Sequence, residues 1–342
     1  MEPFTHALTS VVLARTLQQR LPRFGTAMLI AGGVAPDLDY ASYFAGAGDF
    51  LRFHRTLFHS LPGVALMAAA VAAAFCVFDK RWEPKRPQKK QLAPLTFVAA
   101  VAVCAIGSAT HILLDLASGE GLQLLWPLRV HWSAWSLVAN FDPWVLALLI
   151  SGLLIPQLFR LVGEEIGAPQ NGAGRGAAVF TVLLLTGYLC ARAELHSRAV
   201  DLLLSNEYGG REPLAAGAFP SSANPLAWRG IVSTDNTIEE IVVALGPRAD
   251  FNPERSVTHY KPAESQALEA AEKTDSARRF LKYAEFPLAS VSRREDGTRC
   301  ELRDVRFPAG DANPADIIVR VDLDSAVHVM SEEYRSASSS HP

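Results

Sequence analysis

The sequence predicts an α-helical polytopic membrane domain of four to six membrane segments, followed by a soluble α+β domain. Two observations carry that prediction. Four apolar runs follow one another, at 61–78, 92–117, 143–159 and 177–195. Crossing a hydrocarbon core takes roughly 20 mostly apolar residues, and four such runs in succession exceed what the core of a water-soluble domain of this size would use. The charge is also divided. Residues 1–196 carry 15 Lys+Arg against 12 Asp+Glu, net +3, and residues 197–342 carry 17 against 23, net −6, which together make the −3 of the whole chain. The domain organisation that follows is a membrane-embedded helical domain over 1–196, a soluble domain over 197–335 and a disordered tail over 336–342.

The first 36 residues hold two shorter apolar stretches, "THALTSVVLARTLQQRL" (5–21) and "FGTAMLIAGGVAP" (24–36). The second is too short to cross a ~30 Å core as a helix, so the pair reads as a re-entrant or tilted hairpin. The amino terminus has Glu2 as its sole early charge and Thr5-His6 where an apolar signal core would start, so no cleavable signal peptide is expected. Orientation follows from basic loops. The stretch "DKRWEPKRPQKK" (79–90) carries six Lys or Arg, and Arg160 with Arg175, and Arg15, Arg20 and Arg23, fall on the same side when spans are counted outward. That side is cytoplasmic, which turns 37–60, 118–142 and everything after residue 195 outward.

The second half mixes strand and helix patterns. Strands are expected at 227–236, 237–246, 287–295, 299–307 and 316–324, and a helix over 262–286. None of the four cysteines (Cys76, Cys104, Cys190, Cys300) belongs to a C-x-x-C pair, which speaks against a disulfide framework or a cysteine-based zinc site. No basic stripe with interleaved aromatics points to nucleic acid. The expected partners are membrane lipids and a lipid-like or phosphoester substrate; the sequence identifies no protein partner for the second half.

Against this apolar background the polar residues gather at one face. His6 opens the first hairpin half, Asp37 and Asp39 follow its return, and His54, Arg55 and His59 precede the span at 61–78. His111 and Asp115 close the span at 92–117, and Asp142 opens the one at 143–159. The topology rests on Lys and Arg alone, so this convergence is independent of it. His111 and Asp115 are four apart and share a helix face. Imidazoles mixed with carboxylates are a ligand set for zinc, manganese or iron rather than calcium. Ionisable groups at membrane depth are costly and point to function.

Each piece alone has a plainer reading. "PDLD" serves as a turn or helix cap, and "FDP" starts a helix. "HILLD" suits an intrahelical hydrogen bond, and His131 in "RVHWSAWS" suits an interfacial anchor. His196, His259, His328 and His341 lack partners at ligand spacing and read as surface residues. The coincidence of several pieces on one face favours a metal centre.

"THAL", "GGVAPDLD", "HRTLFHSL" and "HILLD", with "LLWPLRVHWS" and "FDPW" after them, resemble the YdjM-like family of bacterial inner-membrane proteins regarded as metal-dependent hydrolases. The tail segments "NPLAWRGIV" and "FLKYAEFP" with "LRDVRF" resemble the domain of longer members, so the resemblance covers nearly the whole chain. Where members carry an early Asp, this chain has Glu2, and Thr56 stands where a small residue is common. The resemblance also implies kinship, by fold analogy, with zinc phospholipase C and P1-type nucleases.

The activity expected is metal-assisted hydrolysis of an ester, first of all a phosphoester of a lipid or lipid-linked substrate. The expected ligands are His6, Asp37, Asp39, His59, His111 and Asp115, with His54 as a further ligand, holding two or more divalent ions, zinc first and manganese or iron next. Arg55 would offer a fork to phosphate, and Asp142 completes the candidate catalytic pair with it. Two alternatives stand beside this. A metal-ion or proton transporter would show polar residues along a path to both faces, and a scaffold with a structural metal would show a closed four-ligand site.

Overall fold

The structure, a computed structural model, describes residues 1–81, 95–165, 173–246, 251–308 and 315–336. The basic stretch 82–90 and the expected tail 337–342 lie outside the described residues; Ser336 ends a strand. In chain order the helices are α1 (Pro3–Leu17), α2 (Gly25–Val34), α3 (Ala47–Phe53), α4 (Leu61–Arg81), α5 (Phe97–Ala117), α6 (Pro143–Glu165) and α7 (Ala173–Leu204), with a 3-10 stretch at Ala35–Ala45 after α2. The chain divides into two compact units, and they interleave along the sequence: one holds Met1–Leu38 and Arg55–Ala193, the other Asp39–His54 and Glu194–Pro342.

In the first unit α4, α5, α6 and α7 are each long and apolar enough to cross a membrane. At most 44% of any one of these apolar windows is buried, and side chains such as Leu66, Val98, Phe159 and Leu183 stand exposed on the helices. In water that surface would be a liability; in a hydrocarbon solvent it is the expected one. α1 and α2 are too short to cross and form the hairpin the sequence suggests. Glu2 caps α1, accepting from the Thr5 amide at 3.0 Å and from the Thr5 hydroxyl. Asp142 caps α6, its Oδ1 accepting from the Trp144 and Val145 amides at 3.0 and 3.1 Å, with Pro143 at the first helical position.

Packing of α2 on α5 depends on small residues. A Cβ added at Gly107 would lie 2.4 Å from the Leu29 carbonyl oxygen, and one at Gly32 would lie 2.4 Å from that of Cys104. Glycine at both positions brings the two backbones into direct contact. Around this crossing Ala14, Met28, Leu29, Ala68, Ala72, Ala100, Val103 and Cys104 form an apolar core. A second core joins Val12, Leu114, Val138, Val145, Leu149 and Ala178.

The second unit holds two antiparallel sheets. One has the order β1 (Ala215–Pro220), β2 (Ala227–Ser233), β3 (Thr237–Ala244), β4 (Val257–Tyr260); the other has β5 (Pro287–Arg294), β6 (Gly297–Asp304), β7 (Ile317–Leu323), β8 (Val329–Ser336). All five expected strands are present. β1, β4 and β8 escape the sequence pattern: "AAGAFP" lacks β-branched residues, β4 spans four residues, and "VMSEEYRS" is mostly polar. The helix expected over 262–286 is two, α8 (Gln266–Glu272) and α9 (Asp275–Tyr283). Thr274 interrupts it: its hydroxyl donates to the Ala271 carbonyl at 2.8 Å and accepts from the Ala277 amide at 3.3 Å, so it caps a new helix.

Residues after Ala193 in α7 pack on the first sheet, with Ala199 and Leu203 against Tyr208, Trp228 and Val243. Phe219, Ile231 and Ile238 of that sheet meet Phe286 and Val305. The inserted segment Asp39–His54 belongs here because α3 packs on β8. A Cβ at Gly48 would come within 2.7 Å of the Tyr334 ring, so glycine admits the close approach. One face of the second sheet carries paired charges, Arg299 with Asp322 at 2.6 and 3.1 Å, and Arg320 with Glu301 at 2.7 Å and Glu333 at 3.2 Å. Such a face suits water.

Candidate metal centre

Five buried side chains of the first unit converge: His6 from the first turns of α1, Asp37 from the 3-10 stretch after α2, His59 from the turn before α4, and His111 and Asp115 from the last turns of α5. Two overlapping triads, His6–Asp37–His111 and His59–His111–Asp115, bring their donor atoms within 4.8 Å of one another and could each hold a metal ion. His111 Nε2 lies 3.0 Å from His59 Nε2, 3.3 Å from Asp115 Oδ2 and 3.7 Å from Asp37 Oδ1. His59 Nε2 is 3.1 Å from Asp115 Oδ2, and His6 Nε2 is 3.3 Å from Asp115 Oδ1. The His6 and His111 rings stack with centroids 3.8 Å apart.

The protein leaves donor atoms in this cluster without aligned hydrogen bonds. Neither ring nitrogen of His6, nor Asp37 Oδ2, nor Asp115 Oδ2 has a hydrogen-bond partner, although all are buried. Buried polar atoms without partners are costly, and a cation held here would engage one ring nitrogen of His6 and the two carboxylates. The donor set of imidazole and carboxylate fits a borderline divalent ion. Asp37 lies beyond α2 and outside the four spanning helices. Burial pushes its carboxyl up to about 6, with His111 pulling it down and Asp115 adding to the rise. The amino group of Met1 rests on Asp115 Oδ1.

Local chemistry orients the ligands. His111 Nδ1 stands 2.8 Å from the Gly33 carbonyl oxygen. A carbonyl accepts only, so Nδ1 carries the proton and Nε2 turns its lone pair toward the cluster. Arg55 supports Asp115 from the other side. Its guanidinium donates to Ser118 Oγ at 3.0 Å and pairs with Asp115 Oδ1 at 3.4 Å and Glu120 Oε2 at 3.2 Å. Its backbone takes a left-handed φ of 54°, and its carbonyl accepts from the Gln123 amide at 2.9 Å. That conformation is rare for a residue with a side chain and clusters at functional sites.

The remaining sequence-derived candidates have contacts of their own. Asp39 and His54 belong to the second unit, where Asp39 Oδ1 meets His54 Nδ1 at 3.1 Å and the His54 ring stacks on Phe50 at 4.2 Å. Neither joins a triad. Asp142 is committed to capping α6, and the Tyr188 hydroxyl lies 3.5 Å from its Oδ2. Arg55 is 2% exposed and engaged with carboxylates. Glu2 caps α1. Glu120 and Ser118 were not foreseen: "ASGEG" after an apolar helix reads as a plain polar exit, and nothing in its spacing marks a partner for Arg55. His259 and His328, read as surface residues, pair with Glu240 at 2.7 Å and Asp324 at 3.2 Å.

Residues 1–196 match the family described as YdjM inner membrane protein. Among curated proteins, the chain is 26% identical over 116 residues to "Uncharacterized protein YfhP" of Bacillus subtilis (strain 168). That similarity covers 34% of this chain and 32% of the relative, about a third of the relative's length. No solved structure matches. With a family match over more than half its length and four helices suited to crossing a bilayer, the chain belongs to the YdjM family of inner membrane proteins.

Proposed function

We propose that this membrane protein is a metal-dependent hydrolase acting on an ester, in the first place a phosphoester of a lipid or lipid-linked substrate. The observation that carries the reading is the cluster of three imidazoles and two carboxylates, buried and with donor atoms lacking hydrogen bonds. Zinc, manganese or iron suits those donors. A bound divalent ion supplies Lewis acidity toward a phosphoryl or carbonyl oxygen and a water activated near neutral pH. The chain's own residues do the rest. Gly33 holds the tautomer of His111, while Arg55, braced by Glu120 and Ser118, orients Asp115 and places a guanidinium beside the cluster. The positive-inside bias of the basic loops puts the cluster and the second unit on the periplasmic side, where the head of a membrane lipid can reach it without leaving the bilayer.

Transport is the competing reading for ionisable groups at membrane depth. The core around the α2–α5 crossing is apolar, with Ala68, Ala72, Ala100 and Val103 where a polar path would run. This favours chemistry at one face over passage. The test is hydrolysis by detergent-purified protein of a panel of phospholipids and chromogenic phosphodiesters, with and without zinc or manganese and a chelator. Metal-dependent release of product is expected. Absence of turnover on every substrate by metal-loaded, folded protein, together with radioactive zinc uptake into vesicles, would move transport ahead.

A further inference from the structure

We propose that the loop joining α5 to α6 immerses its tip, residues 125–131, in the lipid leaflet at that end of the two helices. Leu125, Leu128 and Val130 meet acyl chains there, and Arg129 and His131 meet the phosphates. The proposal rests on α4, α5 and α6 crossing the bilayer and is independent of the hydrolase reading.

Composition is the first argument. Residues 121–141 contain no Asp or Glu, and Arg129 and His131 are their only ionisable side chains. Water gives a loop of this length no reason to omit carboxylates, whereas a layer of phosphates repels them and attracts cations. Four of the six tryptophans of the chain, Trp126, Trp132, Trp135 and Trp144, fall in this loop or in the first turn of α6. Tryptophan concentrates where hydrocarbon meets water.

Exposure is the second. Leu128 is 87% exposed, Val130 61% and Leu125 44%. The loop leaves the end of one spanning helix and enters the start of the next, so both its ends lie at one membrane surface. Around it Leu61 at the start of α4, Leu113 on α5 and Trp144 on α6 are exposed too. The tip therefore continues the apolar surface that the spanning helices present to lipid, and the occupant that covers those helices also covers the tip.

A fixed base is the third. Leu122 and Ser133 exchange amide and carbonyl at 3.0 and 2.9 Å, closing the neck of the loop. The Leu124 carbonyl accepts from the Leu61 amide at 2.9 Å, and the Leu116 carbonyl accepts from the Trp135 amide at 2.6 Å. Leu122 is buried against Ile112 and Leu116 of α5. Within the tip the Arg129 amide donates to the Leu125 carbonyl at 3.0 Å. The apolar side chains are thus held outward by backbone bonds to α4 and α5, and cannot fold back to escape water. Arg129 has a long apolar stem that lets its guanidinium reach the phosphates while its neighbours stay in hydrocarbon.

The experiment is hydroxyl-radical footprinting of the wild-type full chain in nanodiscs of phosphatidylethanolamine and phosphatidylglycerol, one chain per disc. Oxidation is read residue by residue by mass spectrometry. Leu125, Leu128 and Val130 should be as protected as Leu66 of α4, while the exposed Tyr260 and Met330 of the second unit are oxidised. A nitroxide on Leu128→Cys, with Cys76→Ala and Cys190→Ala, gives a second reading. Its collisions should favour oxygen over a water-soluble nickel complex, as at Leu66→Cys and opposite to Asp296→Cys. Oxidation of the tip to the level of Tyr260 in single-chain discs would overturn the proposal. If the tip were then protected in discs holding two chains, a second copy would be its partner instead. Oxidation of Leu66 itself would overturn the spanning of α4 along with the immersed tip.

Discussion

His111 Nδ1 and the Gly33 carbonyl oxygen lie 2.8 Å apart, linking the last turns of α5 to the end of α2. The contact exists because α2 and α5 approach at glycines, so helix packing and ligand orientation are one feature. Gly107→Val tests it, since even a Cβ there would come within 2.8 Å of the Gly33 amide nitrogen as well as meeting Leu29. Overpacking of this kind costs about 1–3 kcal/mol. Thermal unfolding in detergent should show that loss, and retained zinc should fall with it. A variant that melts lower yet keeps wild-type zinc would uncouple the two.

Glu120 is predicted to act on the centre through Arg55. Glu120→Gln keeps the shape but removes the charge facing the guanidinium, and loss of such outer partners lowers metal affinity about 10–100-fold. Competition with a colourimetric zinc chelator measures this. Arg55→Ala is harsher: it strips Asp115 and Glu120 of their buried partner, at about 3–5 kcal/mol. Equal zinc affinity in wild type and Glu120→Gln would show that Arg55 is held in place without it.

Asp142 separates a structural from a catalytic role. Asp142→Ala removes the cap of α6 and should cost about 0.5–2 kcal/mol. Asp142→Asn keeps an acceptor for the Trp144 and Val145 amides and should cost much less. Zinc content should stay unchanged in both. If Asp142→Asn remains stable but loses hydrolysis, the carboxylate has a chemical role besides the cap.

In the second unit the buried Asp304 carboxylate accepts from the Phe286 and Arg306 amides at 3.3 and 2.9 Å and from Arg306 Nε at 2.7 Å. Asp304→Ala leaves that guanidinium buried without its carboxylate. Denaturant unfolding followed by tryptophan fluorescence should report a loss of about 3–5 kcal/mol, with zinc stoichiometry intact. A neutral result would mean that Glu285, 3.6 Å from Arg306 Nη1, compensates fully.

Removing the metal from wild-type protein should lower the melting temperature, because a ligand that binds the folded state alone stabilises it by mass action. Differential scanning with and without a chelator checks this. Addition of zinc after removal should restore the original midpoint.

Much of the molecule was legible in residue order. The four spanning helices follow from apolar length alone, because hydrocarbon imposes one requirement over some twenty consecutive residues. His6, Asp37, His59, His111 and Asp115 stood out because charge and imidazole are rare among such runs, and the structure brings those five together. Two of their neighbours group differently. Asp39 is two residues from Asp37 and His54 adjoins Arg55, yet both belong to the second unit, since α3 packs on β8 more than two hundred residues later. Sequence proximity cannot report that contact. Neither could it show that Glu120 faces Arg55, that Thr274 divides a helix, or that the Gly33 carbonyl sets the tautomer of His111. What the sequence by itself determined was which residues are too polar for their surroundings. Which of them stand within ligand distance of one another was decided by the tertiary structure, because ligation depends on distances of about 3 Å between donors, and packing of separate segments sets those distances.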